Sequence, residues 1–178
     1  MALFKRNIHG DTINVKGNGN ISARYQYEIQ RGFYDIVLVF CDADKGSDQF
    51  LSLVYEIGEK FFSSKEQGME VFIFANPVTL QIVLSHFDDV SLTKVSKKAN
   101  SVIVEKLTGI KNYDAKQERI DVMIKQIHYS SMESFKKRMM DIDKEFDTIP
   151  SSNFITFLKR FEENDTKWID EINSKKKY

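Results

Sequence analysis

Asp35 to Gly46 reads DIVLVFCDADKG: an unbroken apolar run, Ile36-Val37-Leu38-Val39-Phe40-Cys41, that ends in Asp42-Ala43-Asp44 and a polar loop. A run without alternation, rich in β-branched residues, is what a strand covered on both faces requires, as in a parallel sheet. Val71-Phe72-Ile73-Phe74-Ala75 repeats the pattern. Between the two runs a helix is predicted from Ser47, because Phe50, Val54, Ile57 and Phe61 fall on one helical face. Upstream, Thr12 to Lys16 (TINVK) alternates apolar and polar residues and reads as a short, half-buried strand. Gly17-Asn18-Gly19-Asn20 turns the chain, with Asn20 placed to cap a helix over Ile21–Arg31 that Gly32 stops. Three strand–helix alternations with no hairpin signal predict an α/β fold: a parallel sheet built from right-handed crossovers, with flanking helices.

Beyond the second run, Asn76-Pro77 pairs a capping side chain with proline at the first helical position, and Leu80, Val83, Leu84 and Phe87 form that helix's stripe. After Phe87 the periodicity is helical. A short helix is predicted over Ser101–Leu107, stopped by Gly109. Asp114 and Gln117 make a capping box for a helix with Ile120, Met123, Ile124 and Ile127 on its face. Ser130 and Glu133 repeat the device for a helix carrying Met132, Phe135, Met139, Ile142 and Phe146. Pro150 breaks the chain before two amphipathic helices, Ser152–Phe161 and Thr166–Ile172. The expected organisation is an α/β core over 1–110 and a helical C-terminal extension over 111–178, packed on that core.

The chain has 178 residues, 42% of them apolar and 29% charged, which suits one folded domain with an extension and excludes a disordered chain. A lone Cys41 excludes an internal disulfide and a multi-cysteine zinc knuckle. No apolar run is long enough for a membrane span and MALFKRNIHG lacks a signal peptide's apolar stretch, so the expected location is cytoplasmic. The net charge of zero hides a segregation. Residues 1–34 hold five Lys/Arg against two acids, residues 35–90 three against ten, and residues 91–132 eight against four. An acidic block between basic ones fits a cation site flanked by surfaces that attract phosphate, or simply solvated helix faces carrying Glu56, Glu59, Glu66 and Glu70.

Chemistry concentrates at Asp42 and Asp44. Ligands of open parallel sheets bind beyond the carboxyl ends of strands, and two carboxylates spaced by two on an extended exit can share Mg²⁺ or Mn²⁺. The plainer alternative is a solvated turn with helix-capping acids. Asp48 is the nearest spare acid, as a third ligand or a helix-dipole partner, and Lys45 reads either as a phosphate contact beside the metal or as ordinary loop charge. His9 and His128 share no ligand spacing, and His86 reads as a helix terminator or, if its helix is short, as a residue near the sheet's carboxyl edge. Cys41 reads as a small buried hydrophobe, and no Walker loop, G-x-S-x-G or G-x-G-x-x-G occurs. A phosphoacceptor receiver domain fails on register, because Phe40 stands where its aspartate would be.

DIVLVFCDADKG resembles the DxD strand of TOPRIM domains, the fold shared by topoisomerases, primases and OLD-family nucleases. GDTINVKGNGN looks like the strand and Gly-Asn loop before it in OLD-like members, and NPVTLQIVLSHF is similar to the "NPxxExWxLLHF" helix of RloB-type abortive-infection proteins. Tyr113-Asp114-Ala115-Lys116 sits where that group has a Tyr-x-Lys segment. The resemblance, over roughly residues 8–128, implies Mg²⁺-dependent cleavage or binding of DNA or RNA in bacterial defence, beside an ATPase protein partner, with Asp42 and Asp44 as metal ligands. Two departures stand against full activity. The family's catalytic glutamate ends a strand that would precede residue 1, and Leu80 with the neutral Gln81 replaces the glutamate of the NP helix. The alternative is a non-enzymatic module with a degenerate TOPRIM-like core that binds a protein partner. Because the family's first strand lies inside its sheet, its absence would leave unpaired edges, which predicts a homodimer or complex.

Overall fold

The computed structural model describes residues 11, 13, 15, 20–44, 48–88, 90–92, 100–111, 113, 117–127, 132–163 and 166–177. Among them, the elements that follow the chain are α1 (Ile21–Arg31), β1 (Val39–Asp42), α2 (Asp48–Phe61), a 3-10 turn (Glu66–Val71), β2 (Phe72–Asn76) and α3 (Leu80–Leu84). Then come α4 (Asn100–Thr108), α5 (Gln117–Ile124), α6 (Met132–Asp141), β3 (Ser151–Ser152), α7 (Phe154–Glu163) and α8 (Lys167–Ser174). The protein is therefore mixed α/β.

The described sheet has three strands in the order β1-β2-β3 and is mixed. β2 pairs antiparallel with β3, Ala75 opposite Ser152 and Asn76 opposite Ser151, so the parallel pair is β1 and β2, joined through α2. The all-parallel expectation fails at β3, two serines with no apolar pattern to announce a strand. The expected strand over Thr12–Lys16 lies partly outside the described residues. β2 is buried at every position, as its run predicts. β1 is not: Val39 and Cys41 are buried but Phe40 is 53% exposed, so one face of this strand is uncovered and the expected two-sided burial does not hold.

The chain divides into two compact units. The first holds 1–40, 47–73 and 156–178. In it α1 ends as predicted at Gly32, whose φ of +64° is the left-handed conformation that glycine adopts freely. Asn20, however, gives α1 no side-chain cap bond. Tyr25 meets Phe61 edge-on at 5.2 Å, and Phe50 meets Phe72 at 5.8 Å. Such edge-to-face pairs add roughly 0.5–1.5 kcal/mol beyond the area they bury. In the C-terminal part Trp168 packs on Phe157 and Phe161 at 6.1 and 5.5 Å. The Lys177 N–H donates to the Phe61 carbonyl at 3.0 Å, tying the chain end to the end of α2.

The second unit holds 41–46 and 74–155. Val104, Met123, Phe135, Met139 and Ile155 are fully enclosed in the structure. Several details depart from the periodicity. The Asn76–Pro77 peptide is cis and α3 starts only at Leu80, so Pro77 is not a first helical residue. Asn76 turns inward instead, its amide donating to the Phe146 carbonyl at 2.6 Å. Ile124 is exposed rather than on a buried stripe, and α6 stops at Asp141, short of Phe146. The proposed caps at Asp114 and Ser130 lie outside the described residues.

Candidate functional site

Asp42 is the last residue of β1 and is half-buried. Its Oδ1 accepts the Thr79 backbone N–H at 2.5 Å, and next to it the Ala43 N–H donates to the Ala75 carbonyl at 3.0 Å. The carboxylate thus stands at the carboxyl ends of β1 and β2, where strand order brings two exits side by side, and it satisfies an N–H that the start of α3 leaves without a helical partner. A carboxylate offers about four lone-pair sites, so one such bond does not exhaust it. Asp44 is exposed and has φ +46°, the left-handed conformation that aspartate tolerates better than most side chains.

Asp42 and Asp44 belong to the second unit. Asp48 belongs to the first, as the exposed first residue of α2. It lines an open groove of about 560 Å³ with Ser22, Gln26, Ser52, Glu56 and Lys60. There the Ser22 hydroxyl donates to Glu56 Oε1 at 2.6 Å and the Lys60 ammonium reaches the same oxygen at 2.6 Å. These bonds, Lys60 first and Ser22 second, hold the Glu56 carboxyl below its ordinary value. The arrangement is a Glu–Lys pair one turn apart on α2, with Ser22 of α1 as third member. Lys45 lies outside the described residues, as do His9 and His128. Among the described residues no three His, Cys, Asp or Glu group as metal ligands.

Beside the aspartates lies a polar knot that periodicity does not reveal. Asn76, Gln81, Ser85, Ser151 and Ser152 are all fully buried. Gln81 Nε2 donates to the Ser151 carbonyl at 2.8 Å, and the Ser152 hydroxyl donates to the Phe74 carbonyl at 2.7 Å. Gln81, which stands where the resemblance expects a glutamate nearby, therefore braces β3 rather than lining an open site. His86 stacks face to face on Phe135, centroids 4.0 Å apart, and burial, with Arg138 second, pushes its pKa down. Cys41 is buried, and that burial pushes its thiol up to about 12. A thiol so hard to ionise is no nucleophile. Comparison with known proteins returns no matching family model, no matching curated protein and no matching solved structure.

Proposed function

We propose that the chain is a TOPRIM-like, metal-dependent nucleic-acid-processing module whose cation site consists of Asp42 and Asp44. The observation that carries this reading is the position of Asp42 at the carboxyl end of β1, its carboxylate held by the Thr79 N–H at 2.5 Å. Mg²⁺ is commonly held by one or two carboxylates together with substrate phosphates and waters, so a two-carboxylate site fits it, weakly in the free protein and more tightly with a phosphate present. The bound cation would polarise a phosphate and lower the pKa of its water. Bacterial defence beside an ATPase partner belongs to the same reading and rests on the motif resemblance.

Titration calorimetry with Mn²⁺ and Mg²⁺ tests it, comparing the protein with Asp42→Asn/Asp44→Asn. Asparagine keeps an oxygen for the Thr79 N–H, so the variant retains the fold while losing charge. Heat of binding in the parent and none in the variant is the expected result. Flat titrations of both would overturn the reading. They would favour the second one, a non-enzymatic interaction module in which Asp42 serves only the start of α3. On either reading we propose a dimer or complex, since β1 stands at the edge of the described sheet with Phe40 exposed. A light-scattering mass of one chain at micromolar concentration would exclude it.

A further inference from the structure

Helix α1 presents a face that neither the fold nor the aspartate site uses. Arg24 stands over the Tyr27 ring at 5.1 Å, and Arg31 over Tyr27 at 5.5 Å and over Phe33 at 4.5 Å. Of six cation–π contacts among the described residues, three fall within positions 24–33. Tyr27 is 51% and Phe33 71% exposed, so these rings add little to any core. The acid between them is hidden: Glu28 is buried and pairs with Arg24 at 2.5 Å and Arg31 at 3.3 Å. A buried carboxylate thus fixes two guanidinium groups against two exposed rings, while the outer face offers planes and positive charge.

We propose that Arg24, Tyr27, Arg31 and Phe33 form a stacking platform for the unpaired bases of a single-stranded nucleic acid. The proposal rests on the nucleic-acid reading above and names the form of its substrate. Bases stack on aromatic rings and on guanidinium planes, and the same guanidinium groups meet phosphates. Charge agrees: residues 1–34 hold five Lys/Arg against Asp11 and Glu28, and Glu28 is the buried one. Every base has a π-face, so recognition is indifferent to sequence. A duplex, whose bases are already stacked, gains only the phosphate contacts.

The test is fluorescence anisotropy with labelled oligothymidylate of about 20 nucleotides, longer than one stacking site needs, in EDTA at about 50 mM salt. The protein should bind it, with affinity falling as salt rises. Tyr27→Ala and Phe33→Ala should each weaken binding roughly 5- to 150-fold, the loss of one base stack. Tyr27→Phe should bind as the parent does. Phe33→Leu, which keeps apolar bulk without a π-face, should lose as much as Phe33→Ala. Both rings are exposed, so unchanged thermal melting will show that the variants fold. No binding by the parent, or unchanged binding by Phe33→Leu and Tyr27→Ala, would overturn the proposal; the latter result would assign the patch to an apolar contact with a protein. Duplex bound as tightly as the single strand would overturn it too. EDTA removes any cation, so binding under these conditions is read independently of the aspartate site. Flat calorimetry with intact oligonucleotide binding would then refute the metal site alone.

Discussion

Replacing Gly58 by alanine tests the packing of α2 by the sign of its effect. Gly58 lies inside α2, where alanine is ordinarily about 1 kcal/mol better than glycine. Here a Cβ would sit 2.5 Å from the Lys65 carbonyl carbon and 2.6 Å from its Cα, and closer still to the carbonyl oxygen. All three atoms are backbone, and real Cβ contacts essentially never fall below 3.0 Å. The segment that enters the 3-10 turn would have to move away, and it has little room to do so. Gly68 faces α2 from that turn, and a Cβ there would run into the Val54 carbonyl oxygen and lie 2.8 Å from the Gly58 nitrogen. Overpacking of this kind costs about 1–3 kcal/mol and occasionally more. Backbone on both sides puts Gly58→Ala at the upper end, for a net loss of about 2 kcal/mol after the propensity gain. For a chain of this length, roughly 2–4 °C per kcal/mol makes that a fall in Tm of about 4–8 °C by circular dichroism. A Tm equal to or above the parent's would refute the close approach of α2 and the 3-10 turn.

Asp42→Ala should destabilise by about 1.5–3 kcal/mol, the worth of a hydrogen bond to a charged group, and Asp42→Asn by less than half of that. Urea midpoints measure both, and equal losses would show that the Thr79 N–H is not what Asp42 holds. The His86 pKa is lowered in the fold, so on acidification the unfolded chain takes up its proton first, near 6.5. Stability contributed by the neutral ring is therefore present above pH 6.5 and lost as pH falls below it toward the folded value. His86→Phe should flatten that decline in melts between about pH 7.5 and 5.5, either side of the unfolded value, and an unchanged slope would count against it. Cys41 should resist iodoacetamide at about pH 8, near the ordinary thiol pKa, in the native protein and react in denaturant, as mass spectrometry would record; rapid native alkylation would contradict its burial.

The candidate site was legible in part. The DxD marks itself by following a six-residue apolar run, and the structure does put Asp42 at a strand's carboxyl end. What Asp42 does there was not legible, because its partner is a backbone N–H 37 positions away and nearly every residue type has one. The stacked arginines and rings of α1 could have been noticed in ARYQYEIQRGF, where Arg24, Tyr27 and Arg31 fall at spacings of three and four.

The sequence by itself determined the elements whose cause is local. The second apolar run becomes β2 and the end of the first becomes β1, the spaced apolar residues Phe50, Val54, Ile57 and Phe61 become the inner face of α2, and Gly32 and Gly109 end α1 and α4 with positive φ. Burial imposes a period on the chain, and the period can be read. Tertiary structure alone decided that Ser151–Ser152 is the third strand, that Pro77 precedes rather than opens α3, that Gln81 is buried, and that Gly58 and Gly68 lie against backbone. Each depends on a partner distant in sequence. A two-residue strand has no period, and a glycine's missing Cβ matters only where another segment arrives to occupy its place.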